Sequence, residues 1–343
     1  MNSLANPFAE EPMRLMNSIL ICFAFLFLTG WGHWGPNVKI GLALDTAQAR
    51  EPLVRKLKEA MEDNRAELIL RDAKGDPTAQ QSEVREMIQQ GIQALVVMPC
   101  DRLKASALVS AAHQAGIKVI SLESLIPDSD LDYLIAFDNE KSGELQAKAL
   151  VKKVPQGSYV LLGGTPQTSQ DLRKGQMKVL QPYIDRGDIQ IAVSKWDIAR
   201  ETPSGESKEL GDILAREGNR VDALVVSDDE AGSATRTLEK MNLSGKVVVG
   251  GLGEDLATCQ RIASGTQWMT IYHPPQKLAE ETAYLAAKLA RKATEFDCQF
   301  VEVDNGSQKV KAVLLTPLAV DAGNLKSTVI DDQVQKEEDV FKK

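Results

Sequence analysis

Phe137-Asp-Asn-Glu-Lys-Ser-Gly-Glu-Leu-Gln146 is the stretch on which the chain turns. Before it, Leu134-Ile-Ala-Phe137 is a short apolar run of strand type. After it, Ala147, Ala149, Leu150 and Val151 mark a helix. Between them stand Asp138 and Asn139, whose side-chain oxygens can satisfy the first free amides of that helix. The same strand–helix grammar fills the chain on both sides, so this point reads as a crossing from one lobe to another.

Working upstream, Val38-Lys-Ile-Gly-Leu-Ala-Leu44 is an apolar run suited to a parallel strand buried on both faces. A polar loop, Asp45 to Arg50, leads into a helix whose Leu53, Leu57 and Met61 recur at one-turn spacing. A strand at Glu67–Leu70 precedes Gly75-Asp76-Pro77, a helix N-cap with proline at the first position. Strands at Ala94–Met98 and Lys118–Ser121 flank a helix through Ala105–Ala115. Short loops between alternating elements imply a parallel sheet with right-handed crossovers.

Downstream the pattern repeats. Strands are expected at Tyr159–Leu162, Gln190–Val193, Ala223–Ser227, Lys246–Val249 and Trp268–Tyr272, with Gln299–Val303 and Lys309–Leu315 near the end. Helices are expected near Gln170–Tyr183, Pro203–Arg216, Ala231–Met241, Asp255–Ser264 and from Pro274-Pro275 to Ala293. The charged tail from Asp331 is expected to fray.

At 343 residues the chain has the length of about two domains. A net charge of −8 argues against non-specific nucleic-acid binding. Near the N-terminus, Ser18-Ile-Leu-Ile-Cys-Phe-Ala-Phe-Leu-Phe-Leu-Thr29 follows Arg14, a signal-peptide pattern too short for a comfortable membrane span. Glu10 and Glu11 lie upstream, and Met13 or Met16 would start a conventional signal; an uncleaved anchor is the alternative. Of the four cysteines Cys22 lies in this segment, and Cys100, Cys259 and Cys298 read as buried thiols, with one disulfide left open.

Open parallel sheets bind ligands beyond the carboxyl ends of their strands, so the residues there carry the functional question. Gly250-Gly251-Leu252-Gly253 and Gly163-Gly164-Thr165-Pro166 lack the spacing of a dinucleotide or phosphate loop. No clustered His, Cys or carboxylate has ligand spacing, so neither a metal nor another cofactor is expected, and no catalytic set is assembled. A polyol binder instead needs carboxylates, amides and guanidinium groups beside an aromatic face. The strand ends offer Arg50, Glu123, Asn139, Asp228 and Glu254, with Trp196 and Trp268 as aromatics and His273 at the rim.

At Phe137–Gln146 the chain closely resembles the exported D-xylose-binding proteins of ABC transporters, within the ribose-binding-like class of solute receptors. Ala147-Lys-Ala-Leu-Val, Val154-Pro-Gln-Gly157, Gly175-Gln-Met-Lys-Val-Leu180, Arg261-Ile-Ala-Ser-Gly-Thr-Gln267, Met269-Thr-Ile-Tyr272 and Leu314-Leu-Thr-Pro317 extend the resemblance over most of the length. It implies an α/β fold of two lobes, two parallel sheets flanked by helices and joined by three hinge crossings, with sugar in the cleft. It places the hinge at Asp138, Asn139, Gln267 and Thr316, and the contact positions at Arg50, Glu123, Ser124, Asn139, Gln167, Trp196, Asp228, Glu254 and His273.

Several of those positions depart from the family pattern. Glu123-Ser124 stands where the family has Asp-Arg, and Asp228-Asp229 where it has Asn-Asp. Gly251-Leu252-Gly253 replaces Gly-Gln-Asp and leaves Glu254 beside the gap, and His273 replaces a lysine. The resulting expectation is a non-enzymatic, exported receptor for a D-xylose-like sugar, monomeric, acting with an ABC permease in the membrane and not with nucleic acid. The rival is the same fold used as a sensor or interaction module with altered or lost sugar binding, signalling to a membrane partner. A repressor would need a DNA-binding headpiece where this chain has its apolar segment. The expected division is a signal or anchor over 1–35, a first lobe over 36–137 plus 268–298, a second over 138–267 plus 299–330, and a tail over 331–343.

Overall fold

The computed structural model describes residues 37–163, 166–195, 206–218, 220–226 and 230–342, without the side chains of 49 and 166–169. The expected N-terminal signal, Trp196 and Asp228 lie outside the described residues, as does the side chain of Gln167.

Two sheets organise the chain. The first runs β11-β12-β5-β4-β3-β1-β2, from β1 (Val38–Leu44), β2 (Ala66–Asp72), β3 (Ala94–Val97), β4 (Lys118–Leu122), β5 (Tyr133–Phe137), β11 (Val301–Asp304) and β12 (Lys309–Leu315). Its strands pair in parallel apart from the β11–β12 hairpin. The second runs β13-β10-β9-β8-β6-β7, from β6 (Gly157–Leu162), β7 (Ile189–Lys195), β8 (Ala223–Val226), β9 (Val248–Gly250), β10 (Met269–Tyr272) and β13 (Leu318–Asp321). Here only β13 is antiparallel, against β10.

Helices α1 (Glu51–Asp63), α2 (Pro77–Gln89) and α3 (Ser106–Gln114) cover the first sheet. They are joined there by α9 (Pro275–Ala290), whose Leu278, Ala279, Ala283 and Ala286 share a core with Leu53 and Leu57 of α1. The second lobe carries α4 (Asn139–Lys153), α5 (Pro166–Asp185), α6 (Lys208–Arg216), α7 (Glu230–Lys240), α8 (Leu256–Ser264) and the short α10 (Glu337–Val340). Caps set several starts: Asp76 accepts from the Thr78 amide, Asp138 from Lys141, Ser207 from Leu210 and Asp255 from Thr258.

The chain crosses between lobes at Phe137–Asn139, at Tyr272–Pro275 and at Leu315–Leu318. These crossings correct the expected division. Strand β10 belongs to the second sheet, not the first lobe, and β11 and β12 extend the first sheet, not the second. An apolar run announces that a strand is buried; backbone pairing, which the run does not encode, decides which sheet takes it. Gln267 is likewise not at a crossing. It is buried inside the second lobe, accepting from Arg261 Nε at 3.0 Å and donating to the Met269 carbonyl at 3.0 Å.

The tail does not fray. Val340 is buried with Cys259, Ile262, Leu325 and Val329, so four apolar side chains from two other segments hold it down. Cys100, Cys259 and Cys298 are free thiols.

Helices α4 and α5 touch almost backbone to backbone. A Cβ on Gly143 would fall 1.9 Å from the Leu172 carbonyl oxygen, and one on Gly175 would fall 1.9 Å from that of Glu140. Only hydrogen fits at either place. Across the same seam Lys178 pairs with Glu144 at 2.6 Å and Lys174 with Glu140 at 2.5 Å. Lys178, then Lys141 and Lys148, hold the Glu144 carboxyl down to about 2. Among the described residues no helix is long and apolar enough to cross a membrane.

Candidate functional site

The carboxyl ends of both sheets carry the polar residues singled out above. On the first lobe the loop after β1 closes as a single 3-10 turn, Gln48–Arg50, which ends where α1 begins. That places Arg50 between two carboxylates: Nη1 donates to Glu123 Oε2 at 2.6 Å and Nη2 to Asp45 Oδ2 at 3.3 Å. Burial disfavours the guanidinium charge, and Glu123 and Asp45 outweigh it, so the Arg50 pKa rises.

Glu123 reaches Arg50 from a left-handed backbone, φ 59°, an uncommon conformation for a residue with a side chain. Its N–H donates to the Ile135 carbonyl at 2.8 Å, pinning the end of β4 to β5. Ser124 follows, half-buried, with its amide bonded to Leu122 and its carbonyl accepting from the Ser121 hydroxyl at 2.5 Å.

On the second lobe Glu254 follows the turn after β9. Gly253 in this turn has φ +109°, donates its N–H to the Ile271 carbonyl at 2.9 Å and accepts from the Thr270 hydroxyl at 2.7 Å. The Glu254 carboxylate faces the N–H of His273 and lies within electrostatic reach of Glu123 and Arg50 on the opposite lobe. Burial, then the like charges of Glu123 and Asp255, push this carboxyl up to about 7; the His273 N–H and Arg50 oppose the shift.

His273 is a junction rather than a free rim group. Its ring stacks on Phe137, centroids 4.4 Å apart and 4° from parallel, and Nε2 lies 3.2 Å from the Ser142 hydroxyl. Burial lowers its pKa to about 4, so the ring is neutral near pH 7. Its contacts fasten the second crossing to the first. Asp138, whose N–H donates to the Leu315 carbonyl at 2.9 Å, fastens the first to the third, where Thr316 lies between β12 and β13. Asn139 is the first residue of α4, half-buried beside that junction.

The structure thus brings Arg50, Glu123 and Glu254 together, sets Asn139 and His273 at the crossings, and leaves Ser124 beside Glu123. Sequence reasoning missed Asp45 as the second partner of Arg50. It also missed two buried glutamines that hold the strand ends. Gln80 donates to the carbonyls of Met98 (2.8 Å) and Ala43 (3.4 Å), and accepts from the Cys100 amide (3.0 Å). Gln146 donates to the carbonyls of Val226 (2.8 Å), Gly250 (3.0 Å) and Gly251 (3.1 Å), and accepts from Gln176 (2.7 Å). The available signal was a polar residue on an apolar helical stripe: Gln80 stands one turn before Val84, and Gln146 one turn before Leu150. Among the described residues no group of three or more His, Cys, Asp or Glu side chains is placed to hold a metal ion.

Residues 41–294 match the periplasmic binding protein domain family. The D-xylose-binding periplasmic protein of Escherichia coli (strain K12) is 38% identical over 338 residues, 96% of this chain and all of that protein. The protein of the same name from Haemophilus influenzae is 36% identical over the same shares. Among solved structures, an ABC transporter solute-binding protein from Clostridium phytofermentans, with bound β-D-glucose, superposes with a TM-score of 0.71 at 23% identity, covering 88% of this chain and 99% of that one. At that identity the superposition speaks for the fold: two α/β lobes of the type I periplasmic sugar-receptor class. With the family match and the near-complete alignment to two relatives, the chain belongs to the periplasmic binding protein family.

Proposed function

We propose that this protein is an exported, periplasmic receptor for a small sugar of the D-xylose type, delivering it as a monomer to an ABC permease in the membrane. The observation that carries this reading is the meeting of Arg50, Glu123 and Glu254 from opposite lobes at the strand ends of a chain aligned throughout with D-xylose-binding relatives. As a solute-binding protein the chain would hold and release its sugar unchanged.

Carboxylates accept hydroxyl hydrogens, and a guanidinium donates in a fixed plane, so the trio can clasp vicinal hydroxyls from two sides. The lobes turn about the crossings at Asp138–Asn139, His273–Pro274 and Thr316. The sugar favours the closed state because only there do both faces touch it.

A melting screen against pentoses and hexoses tests the reading. A ligand present at a hundred times its Kd stabilises by about 2.7 kcal/mol, a shift of several degrees. At least one pentose is expected to give it. A flat response to every sugar would favour the receptor fold used as a sensor, to which the departures at Ser124 and Gly251-Leu252-Gly253 lend support.

A further inference from the structure

The C-terminal segment reaches three separate places with consecutive or near-consecutive residues. The Tyr272 hydroxyl donates to Asp332 Oδ2 at 2.7 Å, fixing the segment to the end of β10. Arg55, on α1 of the first lobe, donates to the Gln333 carbonyl at 2.9 Å and to Gln333 Oε1 at 3.3 Å. Gln335 Nε2 donates to the Glu254 carbonyl at 3.0 Å. Both ends are anchored in the second lobe, by Leu325 and Val329 before the segment and Val340 after it.

Each bond touches something the cleft depends on. Arg55 lies just over one turn into the helix that starts next to Arg50, so the segment is tied to the support of the first-lobe cation. Gln335 holds the backbone of the residue that presents the second-lobe carboxyl. Gln333 itself sits at φ +58°, a conformation that an unconstrained glutamine seldom adopts. The Arg55–Gln333 bonds join the lobes beside the second crossing, where Tyr272 holds the neighbouring Asp332, and they can persist only while α1 and the segment stay together. A rotation that carries α1 away from the segment breaks them.

We propose that residues 332–335 form a strap across the mouth of the hinge. On this view Arg55, Gln333 and Gln335 are positioning residues of the binding site: they set the Glu254 turn and hold the lobes together over a bound ligand. This rests on the reading of the cleft as the ligand site.

The test uses the intact chain with Arg55→Met and Gln335→Leu, singly and together, and D-xylose as probe. Arg55 also pairs on its own helix with Glu59 at 3.7 Å and with Glu51 at 3.8 Å, so the combined variant Glu51→Gln with Glu59→Gln serves as the control that loosens the helix pairs and spares the strap. The double variant is expected to release D-xylose about tenfold faster with an unchanged association rate, the pattern of a lost closed-state contact. The control is expected to release it at the original rate. Unchanged release from the double variant, or equally fast release from the control, would overturn the strap. If the intact protein binds no D-xylose, the ligand reading fails separately, and small-angle scattering without sugar decides the strap. A larger radius of gyration in the double variant supports it, and an identical one overturns it.

Discussion

On the first lobe Arg50 stands between Asp45 and Glu123, and the face is charge-paired before a ligand arrives. On the second lobe Glu254 faces the His273 N–H while burial and like charges work against its ionised form. Behind both faces a buried glutamine gathers the strand ends, Gln80 on one side and Gln146 on the other. The backbone framework is therefore similar in the two lobes and the electrostatics are not. One face is preorganised; the other carries a carboxyl whose proton can come and go near neutral pH.

The second lobe also depends on closer packing, and the largest effect is expected there. Gly175→Val would drive a side chain into the Glu140 carbonyl and pry α5 from α4. A loss of about 3 kcal/mol or more follows from overpacking against backbone. Denaturant unfolding should then become biphasic, with the second lobe melting first. A single transition at the original midpoint would show that the seam can yield.

Next come the two glutamines. Gln146→Leu strips three carbonyls of a donor and Gln80→Leu two. The Gly251 carbonyl still accepts from the Ile271 N–H and the Ala43 carbonyl from the Met98 N–H, so the losses that count are Val226 and Gly250 against Met98. At about 1–3 kcal/mol for each buried group left without a partner, the second-lobe variant should lose more stability by about 1 kcal/mol. Equal losses would remove this difference between the lobes.

The proton at Glu254 gives a more diagnostic effect. The unfolded chain releases it near the ordinary 4.5, and the folded protein keeps it up to about 7. Between these values the folded state holds more protons, so this group makes stability fall as pH rises through the window. His273 has the opposite sign: its pKa drops from 6.5 to about 4, and stability is lost as pH falls through that range. Glu254→Gln should therefore gain melting temperature relative to the unaltered protein, by an increment that grows from pH 5 to pH 8. An increment independent of pH would mean that Glu254 titrates normally.

Much of this architecture was legible because parallel strands and their helices write strong periodicities. Val38–Leu44 and Lys309–Leu315 were read with the boundaries that the structure shows. The pairing of β12 with β5 and of β10 with β9 was not legible, because two apolar runs of similar length carry no mark of their partner. At the site, Arg50, Glu123 and Glu254 were found from their position after strands. Asp45 lies in the same polar loop after β1, but nothing in the sequence marks it as the partner of Arg50, and the tail reads as a charged terminus. Its anchors are Val340 and the partly buried Val334, and two apolar residues six apart in a charged segment give no periodicity to read.

The central claim is that a sugar bridges the two unlike faces, with Arg50 as the donor on the first. Isothermal titration of D-xylose into the unaltered protein and into Arg50→Met tests it most directly. The account predicts saturable, one-to-one, micromolar binding that weakens by a factor of about 100, roughly 2.7 kcal/mol, when the guanidinium is removed. Equal affinity in the two proteins would contradict it.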